Sequence, residues 1–245
     1  MTMHFDFSGK TFLVTGASSG IGRVIVEMLC AAGAQVTAAA RNVAALAQLA
    51  EETGCEPLVL DVGDPVSIDE ALTGLEPFDG LVNCAGTTVL EPAIETTAAS
   101  FDSVMNVNAR GAALVARHVA RGMIDAARGG SIVNVSSQSA LVALDDHLSY
   151  CASKAAMDAI TRVLCIELGP HGIRVNSVNP TVTLTPMAVK AWSEPAKREP
   201  ALKGIPLGRF AEPRDVAEPV LFLLSDASAM ISGVALPIDG GYTAR

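Results

Sequence analysis

Concentrated positive charge is missing from this sequence. Asp and Glu number 26 against 17 Lys and Arg, giving a formal net charge of -9, and the basic residues are scattered. A nucleic-acid surface needs clustered positive charge, so that class of partner is disfavoured. Paired cysteine spacing is missing too. Cys30, Cys55, Cys84, Cys151 and Cys165 are odd in number, dispersed and without a CxxC pair. That argues against a disulfide framework or a zinc site and fits a reducing cytoplasm. Apolar runs are interrupted by charges or by Asn, Ser, Thr and Pro well before membrane-spanning length, and the opening MTMHFDFSGK, with its acid, is unlike a secretory signal. A soluble, cytoplasmic protein with neither nucleic-acid nor membrane partners is expected. Repeats, low-complexity tracts and Pro/Gly/Ser linkers are also lacking, so residues 1–245 are expected to form one domain.

What is present is apolar and rhythmic. Hydrophobic residues make up 50% and charged residues only 18%, the balance of a well-buried globule. Short β-rich runs alternate with helical stretches: TFLVT then IGRVIVEMLCAAG, AQVTAAA then VAALAQLAEETG, EPLVLD then DPVSIDEALTGL, FDGLVN then a longer helical region. The alternation continues through GSIVNVSS, a helix around Tyr150, IRVNSVNP and a late GVALPIDGG. Strands apolar on both faces, separated by helices, predict an α/β fold: a doubly wound, Rossmann-type parallel sheet with helices on each side. Ligands of such sheets lie beyond the carboxyl ends of the strands, where the strand order reverses.

The first strand is followed by TGASSGIG, Thr15 to Gly22, and then a helix. Gly16, Gly20 and Gly22 permit a tight turn and close backbone approach, while the helix start offers amides and a positive dipole end to a pyrophosphate. At the end of the second strand an acid would bind a free ribose 2′-hydroxyl. Here the residues are Ala39, Ala40, Arg41 and Asn42, so a guanidinium stands where a 2′-phosphate would lie, and NADP(H) is the expected cofactor. Arg41 could equally be a solvated helix-start residue. Asp61, after the third strand, either accepts a hydrogen bond from the adenine amine or caps the following turn. In SYCASKAAMDAI, Tyr150 and Lys154 stand one helical turn apart on one face. A fixed charge beside a phenol lowers its pKa and makes the pair a candidate acid and base. A buried phenol and a solvated lysine meeting by chance is the plainer alternative.

Taken in order, TGASSGIG at 15–22, NCAG at 83–86, Asn108 in NVNARG, Ser137 in IVNVSSQS, YCASK at 150–154 and Pro180 in VNPTVTLT resemble the short-chain dehydrogenase/reductase family across essentially the whole chain. Within it, VSSQS, DHLSYCASK, ELGPHGIRVNSVNPTV, AWSEP and IPLGRFAE are similar to the L-xylulose (dicarbonyl) reductase group. The resemblance implies a catalytic set of Asn108, Ser137, Tyr150 and Lys154. Tyr150 would be the proton donor, Lys154 would hold the nicotinamide ribose and tune the phenol, Ser137 would bind the carbonyl oxygen, and Asn108 would hold a helix open for a proton-relaying water. It further implies cofactor contacts from Gly16, Ser18, Ser19, Gly20, Ile21, Gly22, Arg41, Asp61, Val62, Asn83, Ala85, Gly86, Tyr150, Lys154, Pro180, Val182 and Thr185. Beside Ser137 and Tyr150, a substrate pocket would be built from Gln138, Leu144, His147 and Trp192, under a lid at 187–210.

Two positions depart from the family pattern: Cys84 replaces the second Asn of NNAG, and Thr181 replaces the Gly of PG. The implied activity is reversible, NADPH-dependent reduction of a small ketose or α-dicarbonyl to a secondary alcohol, without a metal, by a homotetramer. A polyol dehydrogenase or 3-oxoacyl-carrier-protein reductase would share the same residues. A non-catalytic dinucleotide sensor would have no need of the proton donor, and a ligand-free structural oligomer would have no need of the glycines and Arg41.

Overall fold

The computed structural model describes residues 5–244; residues 1–4 and 245 of the expected domain lie outside the described residues. Seven parallel strands form one sheet in the order β3-β2-β1-β4-β5-β6-β7. They are β1 Thr11–Thr15, β2 Gln35–Ala40, β3 Glu56–Val59, β4 Gly80–Asn83, β5 Gly130–Val135, β6 Ile173–Pro180 and β7 Ala235–Ile238. The connecting helices are α1 Gly20–Ala31, α2 Val43–Thr53, α3 Pro65–Leu72, α4 Ala98–Met105, α5 Ala112–Asp125, α6 Leu148–Leu168, α7 Pro186–Ala191, α8 Pro195–Lys203 and α9 Pro213–Leu224. The expected doubly wound sheet is therefore observed, with its reversal of order between β1 and β4.

Period-two alternation divides the core into two layers. Phe12, Val14, Val82, Val133 and Val178 point to one face and pack with Ile25, Val26 and Leu29 of α1 and Val216, Val220 and Leu221 of α9. Leu13, Leu81, Ile132 and Val175 point to the other, against Val115, Val119 and Met123 of α5 and Ile68 of α3. In register, Leu13 pairs Leu81, Leu81 pairs Ile132, and Ile132 pairs Val175, a continuous apolar row across four strands. Truncating one of these fully buried leucines to Ala would cost about 2–5 kcal/mol.

Two residues further along on the same face the row turns polar. Asn83 pairs Asn134, and Asn134 pairs Ser177. All three are buried, so each needs a hydrogen-bond partner. Asn83 Nδ2 donates to Asn134 Oδ1 at 2.9 Å and to the Ala112 carbonyl at 3.1 Å. Asn134 Nδ2 donates to Thr161 of α6 at 2.8 Å, and Ser177 Oγ to Asp158 of α6 at 2.9 Å. Helix α6 complements both halves of the sheet. Leu164, Cys165 and Leu168 pack on the apolar layer, while Thr161, Asp158 and Lys154 are buried towards its polar carboxyl end.

Candidate active site

At the reversal of strand order the loops after β1 and β4 touch. Gly16 has φ +68°, and a Cβ placed on it would lie 2.7 Å from Ala85 Cα, so only glycine fits both the conformation and the contact. Thr15 Oγ1 fastens the two loops together by accepting the amides of Cys84 at 3.1 Å and Ala85 at 3.2 Å. Helix α1 begins beside them at Gly20, and Ser19 at its N-cap makes no side-chain cap hydrogen bond. Uncapped amides and a dipole end thus face the crevice where a pyrophosphate binds in this fold. Ser18, Ile21 and Gly22 line the same turn, and Gly22 packs so tightly on the Gly16 carbonyl that a Cβ would come within 2.4 Å. Across it, Thr185 approaches Gly20, at 2.9 Å from where a Cβ would sit. These residues fit a dinucleotide.

On the far side of the crevice Arg41 is exposed and lies 3.8 Å from Asp61. Asn42 is engaged in capping α2, its Oδ1 accepting the Ala45 amide at 3.1 Å. Of the two readings of Asp61, the turn cap is realised: its Oδ1 accepts the Gly63 amide at 2.9 Å. The outer oxygen is left to Arg41. Val62 is buried, and its carbonyl lies 2.2 Å from where a Cβ on Gly111 would stand.

Between α4 and α5 the chain widens into a π-helical turn, Asn106–Gly111. Asn108 lies inside it, fully buried. Its Oδ1 accepts the Thr87 amide at 2.8 Å, and its Nδ2 donates to the Thr87 carbonyl at 2.9 Å and to Ser153 Oγ at 3.0 Å. The amide therefore ties the loop following NCAG to α6 rather than bonding within its own helix. Gly86 passes between, at 3.5 Å from Asn108 Oδ1 and 3.7 Å from Lys154 Nζ when measured from an ideal Cβ.

Tyr150 and Lys154 lie on the first turns of α6, with Lys154 Nζ 5.7 Å from the phenol ring centroid. Lys154 is buried and donates to the Val135 carbonyl at 2.8 Å. Burial lowers its pKa to about 8, against the opposing pull of Cys84 and Asp158. Ser137 caps the short 3₁₀ turn Gln138–Ala140, sharing a hydrogen bond with Ser139 Oγ at 2.7 Å, and stands close enough to the Tyr150 phenol to lower its pKa. Its neighbour Ser136 points the other way and donates to the Lys154 carbonyl at 3.2 Å. Lysine was expected to lower the phenol pKa. Here burial raises it, and the nearby Ser137 hydroxyl only partly offsets that. Burial thus favours the protonated phenol. Cys84, the departure from NNAG, is pushed by burial up to about 12 although Lys154 pulls it down, so its thiol stays protonated and inert.

Around this group stand the residues expected to meet substrate. Gln138 is buried and its Oε1 has no hydrogen-bond partner among the described residues. His147 Nδ1 lies 2.5 Å from the Asp145 carbonyl, which can only accept, so Nδ1 carries a proton. The His147 and Tyr150 rings meet edge to face at 6.1 Å. Leu144 is half-buried in the loop before His147. Trp192 caps α7 and packs on Phe210 at 5.5 Å between ring centroids. Pro180 is buried at the end of β6, and Val182 accepts the Ala211 amide at 3.0 Å through its carbonyl. A cavity of about 340 Å³ lies under α8 between Leu202, Phe210 and Asp215, and Tyr150 is not among its lining residues.

Thr15, Thr87, Ser153, Asp158 and Asn179 also build the site and were not singled out from the sequence. Asp158 left a signal there: it is an acid four residues beyond Lys154, on the same helical face.

This constellation on a doubly wound sheet agrees with comparison to known proteins. Residues 16–243 match the family described as Enoyl-(Acyl carrier protein) reductase. The chain belongs to the short-chain dehydrogenase/reductase family, a class of nicotinamide-dependent oxidoreductases. It is 47% identical to L-xylulose reductase of Bos taurus over 243 residues, covering 99% of this chain and 100% of that protein. It is 44% identical to carbonyl reductase (NADPH) 2 of Sus scrofa, with the same coverage. Among solved structures, a short-chain type dehydrogenase/reductase from Mycobacterium marinum superposes with a TM-score of 0.91 at 34% identity, covering 99% of this chain and 98% of that one. Among the described residues, no helix is long and apolar enough to cross a membrane.

Proposed function

We propose that this chain reduces the carbonyl of a small ketose or α-dicarbonyl to a secondary alcohol with NADPH, reversibly, using Tyr150 as the proton donor. The observation that carries this reading is the convergence of Tyr150, Ser137 and Lys154 beyond the carboxyl ends of β4 and β5, opposite the Gly16 turn. When bound, a nicotinamide supplies or takes up the hydride. Tyr150 delivers its hydroxyl proton to the carbonyl oxygen, and in the oxidative direction takes it back. Ser137 donates to the same oxygen and stabilises the charge that builds there. Lys154 supplies the positive charge that offsets burial of the phenolate. Asn108 and the π turn around it hold open the path by which a water re-protonates the lysine.

The exposed, loosely held Arg41 and the lack of an acid at the end of β2 support NADPH over NADH. Identity with relatives named for L-xylulose and for NADPH supports the substrate class. Gln138 Oε1, without a hydrogen-bond partner among the described residues, would accept from a substrate hydroxyl, and the His147 ring would hydrogen-bond another. Residues 187–210, with α7, α8 and Trp192, would close over the substrate as a lid, leaving 1–245 a single domain. A homotetramer is supported by the outer face of α6, where Leu148, Val163 and Ile166 are exposed at helical spacing. A cytoplasmic location is supported by five free cysteines.

The test is the initial rate of NADPH and of NADH oxidation with L-xylulose, diacetyl and a short 3-oxoacyl thioester. Faster NADPH turnover with the first two is expected. Activity confined to the thioester would replace the substrate class while keeping the proton-transfer group, and activity only in the polyol-oxidising direction would make it a polyol dehydrogenase.

A further inference from the structure

Asp158 is a buried carboxylate one helical turn beyond Lys154, and its bonds lead away from Lys154. Oδ1 accepts Ser177 Oγ at 2.9 Å and Oδ2 accepts Asn179 Nδ2 at 2.8 Å, both from β6. Asn179 Nδ2 donates its second proton to the Ser137 carbonyl at 3.0 Å. One acid thereby closes a circuit from α6 through β6 to the residue whose hydroxyl meets the Tyr150 phenol. A carboxylate suits this place better than an amide. Both of its oxygens receive donors, whereas an amide would turn an NH₂ group towards one of them.

We propose that Asp158 is a positioning residue for proton transfer: through Asn179 it fixes Ser137 against Tyr150, and its negative charge balances the buried ammonium of Lys154. This rests on the reading of Tyr150 as proton donor.

Among the described residues, the groups that face Lys154 are Cys84 after β4, Gly86 beyond it, the Val135 carbonyl of β5, and Tyr150 and Asp158 of its own helix. The Cys84 thiol is held protonated by burial, which leaves Asp158 as the charged partner. Removing that negative charge makes the coupled lysine and phenol release a proton more readily. The alkaline limb of the reduction profile must then move to lower pH. A role in packing alone would lower the rate equally at every pH.

The experiment is kcat for diacetyl reduction at saturating NADPH, measured from pH 6 to 10 in the wild-type enzyme, Asp158→Asn and Asn179→Ala. Asp158→Asn should fall about tenfold at pH 7, with the alkaline limb displaced downward by roughly one pH unit. Asn179→Ala, which releases Ser137 but keeps the charge, should fall similarly with the limb in place. An Asp158→Asn enzyme with unchanged kcat, or with a uniform loss and an unmoved limb, overturns the proposal. Should Asp158→Asn not fold, wild-type kcat in Asn179→Ala overturns it. Tyr150→Phe run in parallel separates the two readings: if it retains turnover the donor assignment fails, and if it is inactive while the Asp158 profile is unmoved only the present proposal fails.

Discussion

The two ends of the sheet treat buried charge in opposite ways. At the amino end Asp79, immediately before β4, is enclosed by partners: the Thr11 amide at 2.9 Å, the Thr11 hydroxyl at 3.1 Å, Arg128 at 2.7 Å and Lys10 at 3.6 Å. Burial pushes its pKa up, but those hydrogen bonds and charges outweigh it and hold the carboxyl below the usual range. At the carboxyl end Lys154 donates to one carbonyl, with the Asp158 charge a helical turn away, and burial still drags its pKa down to about 8. Arg41 meets Asp61 only at 3.8 Å in the open. A closed cluster stabilises the fold, whereas loosely answered charges are left for something that arrives later. The comparison separates structure from function better than burial does, since Asp79 and Lys154 are both largely hidden.

The largest expected break comes at the open end: Tyr150→Phe should lower kcat by about 10²–10⁴-fold while cofactor titration shows unchanged binding. Next, Arg41→Asp should lower the NADPH-to-NADH preference in kcat/KM by about 10- to 100-fold, the worth of a charge-assisted hydrogen bond. An unchanged ratio would place the phosphate elsewhere. At the closed end, Asp79→Asn should lose about 2 kcal/mol in urea unfolding at pH 7 and leave kcat of the folded enzyme intact. Because its carboxyl pKa is depressed, Asp79's contribution is present above the unfolded value and disappears as pH falls through the folded one, so acid unfolding should track it. An effect of opposite sign sharpens the contrast. Lys154 releases its proton near pH 8 in the folded chain and near 10.4 when unfolded. Between these values the unfolded state binds more protons, so stability should rise with pH by about 3 kcal/mol in the wild type relative to Lys154→Met.

Much of this was legible in the sequence because it is written in short-range chemistry. Strands apolar on both faces gave the parallel sheet, and Gly16 and Gly22 gave the turn, since each encodes a local constraint. The side-by-side placement of Tyr150 and Lys154 follows from helical spacing alone. The direction of the Tyr150 shift was not legible: it depends on how much water the fold excludes, which spacing does not report. Nor was the circuit through Asp158, Asn179 and Ser137, because it joins three segments that meet only once β5, β6 and α6 are stacked. Asp61 shows a third case. Its two readings use the same carboxylate, and the fold alone shows the turn cap, through the Gly63 amide at 2.9 Å.

The π turn at Asn106–Gly111 makes α4 and α5 one nearly continuous rod with an extra residue wound into it. A residue added to a helix rotates everything beyond it by about 100°. On one side of the bulge Val104 is buried, and on the other Val115, Val119 and Met123 face the sheet. The wider turn takes up the extra residue locally, so both helices keep their buried faces although the chain between them carries one residue more than a regular helix would. The stretch is thus a place where the chain can change length by one residue without turning either helix away from its packing.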